Sequence, residues 1–129
     1  MPESAPEPGR PLVLRNGTVL PMDGSPTVLQ DTDVLIVDVR EPQEFAQGHI
    51  PGALNVPRGT LEGAADQGYK HRVQTLCDAQ TRDVVLYCAT GGRSAMAAKT
   101  LQEMGFTRAT SLAGGIEMWA AEGLPVVKD

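Results

Sequence analysis

Tyr87-Cys88-Ala89-Thr90-Gly91-Gly92-Arg93-Ser94 is the stretch of this chain best suited to chemistry. A lone cysteine ends the apolar run Val84-Val85-Leu86-Tyr87. Two glycines and an arginine follow, and a helical pattern runs from Ser94 to Met104. A strand that delivers a thiol to a tight loop, with the loop opening a helix, aims backbone N–H groups and the positive end of a helix dipole at the sulfur. Such a place stabilises a thiolate. An ordinary cysteine, with a pKa of about 8.5, is only roughly 3% ionised near neutrality, and helix N-termini and arginines lower that pKa by one to several units. A fall of about two units corresponds to roughly 2.7 kcal/mol in favour of the anion. Gly91 and Gly92 allow the loop to turn inward so that its amides converge. Arg93 stands in the first helical turn, where a cation opposes the macrodipole at a cost of up to about 1 kcal/mol. Holding an anion is one reason to keep it there. Cys88 therefore reads as a nucleophile and Arg93 as an anion clamp. The plainer alternatives are a strand-end cysteine packed as a small hydrophobe and an outward-facing surface arginine.

Spacing and partners narrow the chemistry. Four residues, Ala89 to Gly92, separate Cys88 from Arg93. Cysteine phosphatases need the wider Cys-x-x-x-x-x-Arg loop for a tetrahedral phosphoryl group, and the smaller ring suits a terminal sulfur atom. A cysteine hydrolase also needs a base, and the only histidines are His49 and His71. His49 reads as holding a turn and His71 as solvated on the polar side of a helix. Chemistry that needs an activated sulfur and no general base fits better. Cys77 lies on an apolar helical stripe and reads as core. Two cysteines cannot form a disulfide framework, and no Cys/His cluster has metal-ligand spacing, so neither metal nor other cofactor is expected.

The elements that must position this loop follow from hydrophobic patterning. Val34-Leu35-Ile36-Val37 is a run of consecutive apolar, mostly β-branched residues, as in a parallel strand covered on both faces. Asp38-Val39-Arg40 leaves its carboxyl end. Glu41 to Gln47 reads as a short helix with Pro42 at its first position and Gly48 at C′. A turn and a short strand occupy His49 to Pro57. Ala65, Tyr69, Val73, Leu76 and Cys77 recur at helical spacing over 65–79, opposite Asp66, Lys70 and Asp78. Thr81-Arg82-Asp83 makes a turn into the central strand. Ala97, Leu101 and Met104 form the apolar stripe of the helix after the cysteine loop, and Gly105 ends it. Arg108 to Leu112 reads as a last strand, and Gly114-Gly115 leads into a helix that buries Ile116, Trp119 and Ala120. Alternating strands and helices predict an α/β fold, a mainly parallel sheet with functional groups at the carboxyl ends of its strands. Asp38, Arg40 and Cys88 all sit at such ends. Asp38 and Arg40 are expected to brace the architecture behind the loop, each in a mutual or nearby ion pair.

The chain has 129 residues, enough for one domain, and its 41% hydrophobic content leaves room for a part that does not pack. That part reads as residues 1–29, which hold six of the ten prolines. A solvated tail covers 1–11, and a hairpin around Asn16-Gly17, over 13–20, is an edge addition or a dimer contact. Residues 30–129 form the domain. Sixteen acidic residues against eleven basic give a net charge of −5, which argues against general binding to nucleic acid or to anionic membranes. No apolar run is long enough to span a bilayer, and the N-terminus lacks a signal-peptide pattern, so a cytoplasmic location is expected.

Four stretches together resemble the rhodanese family, specifically its single-domain sulfurtransferases. They are Asp38-Val39-Arg40-Glu41-Pro42 with Glu44-Phe45, Gly48-His49-Ile50-Pro51-Gly52-Ala53-Leu54-Asn55-Val56-Pro57, Cys88 to Ser94, and Leu112-Ala113-Gly114-Gly115-Ile116 with Trp119. The resemblance covers about Asp33 to Val126. It implies a sheet of about five mainly parallel strands with helices on both faces. It further implies a double displacement in which Cys88 takes the outer sulfur of an anionic donor such as thiosulfate and passes it to cyanide or a thiol. The amides from Ala89 through Thr90, Gly91, Gly92 and Arg93 to Ser94 would cradle the persulfide. Arg58, after the second stretch, would meet the sulfonate end of the donor. Rival readings are a relay protein between a desulfurase and a biosynthetic acceptor, a catalytically idle interaction module, and a phosphatase or arsenate reductase.

Overall fold

The computed structural model describes residues 34–128 and two earlier strands. These strands, β1 (Leu12–Arg15) and β2 (Thr18–Pro21), pair antiparallel with Val13 opposite Leu20 and form a two-stranded sheet of their own. The expected tail over 1–11 and the turn at Asn16-Gly17 lie outside the described residues.

Among the described residues four parallel strands, against about five expected, make the main sheet in the order β4-β3-β5-β6: β3 (Val34–Asp38), β4 (Leu54–Asn55), β5 (Asp83–Tyr87) and β6 (Ala109–Ser111). The central strands are apolar, apart from Asp38 at the end of β3 and Asp83 at the start of β5, because both faces are covered, and period-two alternation divides their side chains between two cores. Leu35, Val37, Val84 and Leu86 face one way, toward Leu61, Ala64, Ala97, Leu101 and Phe106. Val34, Val85 and Tyr87 face the other way, toward Ile50, Leu112, Ile116 and Trp119. The helices accordingly lie on both sides. They are α1 (Pro42–Gln47), α2 (Leu61–Ala65), α3 (Gln74–Cys77), α4 (Gly92–Glu103) and α5 (Gly115–Ala121).

Local chemistry sets most boundaries. Glu41 and Glu44 close a capping box at the start of α1, with Pro42 at the first helical position. Gly105, with φ 100°, stops the chain just beyond α4. Of the continuous helix expected over 65–79 only the short α3 forms, and α2 ends at Ala65. Asp66 accepts from the Gly68 N–H at 2.9 Å in an Asx turn, and the Val73 N–H bonds the Ala64 carbonyl, so the segment loops out between α2 and α3. His71 stands in that loop, exposed and edge-on to the Tyr69 ring, rather than on a helix. Cys77 is buried as expected, its thiol donating to the Ala64 carbonyl. Ala120 is exposed; the buried face of α5 is Gly115, Ile116 and Trp119.

Candidate active site

Cys88 follows β5 directly, at the carboxyl end of the sheet, and the loop after it runs straight into α4 at Gly92. Its side chain is buried. The Gly91 N–H donates to the sulfur at 3.1 Å. Burial pushes the thiol pKa up, but hydrogen bonds from the Ser94 backbone and hydroxyl and from the Gly91 and Thr90 amides outweigh it, and the net shift is downward. The surroundings therefore favour the anion of Cys88, as a ring of amides at a helix start does.

Those amides face the sulfur because something holds the carbonyls the other way. The Ile116 N–H donates to the Cys88 carbonyl at 2.9 Å, and the Glu117 N–H donates to the Ala89 carbonyl at 3.1 Å. In a planar trans peptide, C=O and the following N–H point oppositely. Fixing the Ala89 carbonyl on α5 therefore turns the Thr90 N–H toward the sulfur. The close approach of α5 requires Gly115. It has φ 59°, and a Cβ there would lie 2.4 Å from the Cys88 oxygen and 2.5 Å from the Ala89 oxygen. Gly114-Gly115 is thus the backing of the cysteine loop. The sequence signal was present: two glycines stand where a helix start ordinarily carries Ser, Thr, Asp or Asn.

Within the loop the two glycines differ. Gly91 has φ 119° and supplies the left-handed residue before α4. Gly92 has ordinary backbone geometry, and a Cβ on it would meet nothing within 4 Å. Only Gly91 is needed for the turn.

Beneath the loop lies a polar network. Arg40 bonds both carboxylate oxygens of Asp38, at 2.7 to 3.1 Å, and donates to the Gly48 carbonyl at 2.7 Å. Its guanidinium stands 5.7 Å over the ring of Tyr87, the residue before the cysteine. The Tyr87 hydroxyl accepts from the Ile50 N–H at 3.0 Å, and burial pushes its pKa up. The Asn55 amide donates to the carbonyls of Asp38 and Arg40, tying the ends of β3 and β4 together. Asp38 and Arg40 thus lie as a buried pair behind the loop. His49 stacks on Phe45 at 3.7 Å, with Nδ1 at 2.9 Å from the Phe45 carbonyl.

Arg93 and Arg58 both have carboxylate partners. Arg93 forks onto Glu44 of α1, at 2.9 and 3.1 Å, while Cys88 also acts on it by charge and by hydrogen bonding. The Arg93 hydrogen bond is the main reason that the Glu44 carboxyl titrates at about 2. Arg58 is divided between Glu62, four residues on, and the Thr100 hydroxyl of α4, each at 3.1 Å. The structure thus brings Thr90, Gly91 and Ser94 onto the Cys88 sulfur and holds Ala89 by its carbonyl on α5. It sets Arg93 at their rim and ties Arg58 between α2 and α4. Among the described residues no cluster of His, Cys, Asp or Glu is placed to hold a metal ion, and no helix is long and apolar enough to cross a membrane.

Comparison with known proteins gives the family of the chain. A sulfurtransferase of Allochromatium vinosum is 43% identical over 100 residues, which covers 77% of this chain and 84% of that protein. Chloroplastic thiosulfate sulfurtransferase 16 of Arabidopsis thaliana is 38% identical over 92 residues, covering 69% and 76%. Among solved structures, a Rhodopseudomonas palustris protein of unknown function, described as a possible tyrosine phosphatase, is 38% identical. Its TM-score is 0.70, with 74% of this chain and 72% of that one covered. A human single-domain sulfurtransferase gives a TM-score of 0.59 at 27% identity, covering 70% and 84%. The Rhodanese-like domain profile matches residues 27–122, and on that span the chain belongs to the rhodanese-like sulfurtransferase family.

Proposed function

We propose that the protein carries sulfane sulfur as a persulfide on Cys88. The observation that supports this most is the convergence of loop amides on a single buried sulfur, with the Gly91 N–H at 3.1 Å. In the first half-reaction the Cys88 thiolate attacks the outer sulfur of a donor such as thiosulfate. A new S–S bond forms on Cys88, the donor's own S–S bond breaks, and its electron pair leaves with sulfite. In the second half-reaction cyanide or a thiolate attacks the terminal sulfur, and Cys88 leaves as the thiolate with which it began. Neither half needs a proton shuttle, and His49 is already engaged against Phe45. The same amides that hold the thiolate hold the persulfide anion, whose charge lies one atom further out.

A second reading concerns the donor. Both arginines that the sequence offered to a sulfonate group have protein partners, Arg93 with Glu44 and Arg58 with Glu62. That favours delivery of sulfur from a persulfide on another protein or a small thiol, with thiosulfate as a surrogate. The four-residue spacing from Cys88 to Arg93 argues against phosphoryl transfer, and absence of aryl phosphate hydrolysis is expected.

The test is intact mass spectrometry after incubation with thiosulfate or a small persulfide. Wild type should gain one sulfur, and cyanide should remove it. Cys88→Ser should gain none. No gain in wild type with either donor would overturn the proposal.

A further inference from the structure

Ser94 stands at the crossing of three polar contacts. Its hydroxyl lies 2.7 Å from the Ser111 hydroxyl and 3.2 Å from the Gly91 carbonyl oxygen, and it stands near enough to the Cys88 sulfur to help draw the thiol pKa down. The residue is fully buried, so water does not complete this set. A hydroxyl has one proton and two lone pairs. Three neighbours cannot all receive that proton. If Ser94 donated to Ser111, nothing would be left for the sulfur. If Ser111 donates to Ser94, the Ser94 proton is free for either the Gly91 carbonyl or the sulfur, and charge decides. Hydrogen bonds to an ionised acceptor are roughly twice as strong as neutral ones.

We propose that Ser111 is a positioning residue for the sulfur of Cys88: its hydroxyl donates to Ser94 Oγ and thereby turns the Ser94 proton onto the sulfur whenever that sulfur is charged. The proposal rests on the reading of Cys88 as the sulfur-carrying thiol. In the neutral thiol, Ser94 donates to the Gly91 carbonyl. In the thiolate or persulfide, it swings to the sulfur, and the Ser111 donor behind it polarises the bond further. Sheet register makes the arrangement durable. Ser111 pairs with Leu86 across β5 and β6, two residues before Cys88, and the Leu112 N–H bonds the Leu86 carbonyl at 2.9 Å. A hydroxyl on β6 is thereby fixed beside a loop that starts on β5.

The charged groups around the sulfur leave this effect separable. Arg93 faces it from the start of α4, with Glu44 of α1 behind that arginine. The Asp38–Arg40 pair lies against Tyr87 from the end of β3. From α5 the contact is through backbone N–H groups, those of Ile116 and Glu117. Truncating Ser111 touches none of these.

The experiment is the pH dependence of iodoacetamide alkylation in the full chain, with the Cys88 peptide followed by mass spectrometry. Ser111→Ala should raise the midpoint by about half a unit and Ser94→Ala by about one unit, with the double variant no higher than Ser94→Ala. Ser111→Thr keeps the hydroxyl and should stay at the wild-type midpoint. An unchanged or lowered midpoint in Ser111→Ala would overturn the relay, and so would additive shifts in the double variant. If Ser94→Ala fails to fold, Ser111→Ala against Ser111→Thr decides alone, and equal midpoints refute the proposal. The readout needs no sulfur donor, so failure of sulfur transfer and failure of the relay are separate results.

Discussion

At the scale of single residues, two neighbouring glycines divide what looked like one role. Gly91 adopts φ 119°, which costs a side chain about 1–2 kcal/mol, and its N–H is a direct donor to the Cys88 sulfur. Gly91→Ala should therefore lower stability by about that much and impair alkylation and sulfur uptake together. Gly92 has open space and helical backbone, so Gly92→Ala should be neutral or stabilise by up to about 1 kcal/mol, because alanine restricts the unfolded chain. Thermal melts of both variants check this. Equal losses would mean that the space beside Gly92 is structurally filled. A Gly-Gly pair in the sequence shows that the backbone must turn; which of the two turns it depends on torsions that residue type leaves open. Arg93 teaches the same lesson. Its position in the first helical turn was visible, but its partner, Glu44, lies 49 residues away on another helix.

At the scale of elements, the strands were legible because burial on both faces leaves an unbroken apolar run, as in Val34 to Val37 and Val84 to Tyr87. The segment over 65–79 was not. Tyr69 and Val73 happen to fall at helical spacing, whereas Asp66 and Gly68 turn the chain by a local hydrogen bond that periodicity does not register. The docking of α5 on the cysteine loop was likewise hidden, since it is made by backbone atoms, and Gly114-Gly115 showed only that a side chain is missing. It yields a clear expectation. Gly115→Ala would force a Cβ to within 2.5 Å of two loop carbonyls that cannot both retreat. The variant should lose several kcal/mol of stability, or keep its fold by releasing the loop. In the second case the Cys88 midpoint rises toward that of an ordinary thiol. A wild-type melt together with a wild-type alkylation profile would show that α5 does not back the loop.

At the scale of the whole molecule, Arg93–Glu44 joins α1, which follows β3, to α4, which follows β5, across the mouth of the site. Glu44 ionises at about 2 in the fold against 4.5 ordinarily. A carboxyl with a depressed pKa contributes stability that is complete above its unfolded pKa and is lost as pH falls through the folded one. The pair is part-exposed, so its worth is about 0.5–1 kcal/mol. Glu44→Gln should be less stable than wild type by that amount at pH 7, and the gap should close as pH falls from about 4.5 to about 2 in denaturant titrations. A gap that does not change with pH would mean that Glu44 contributes by packing. The contact of α5 with the loop has a consequence of another kind, for truncation. A chain cut short before Ile116 would keep every residue of the cysteine loop yet lose the N–H groups that receive the Cys88 and Ala89 carbonyls. It would hold the thiol without the frame that turns the loop amides inward.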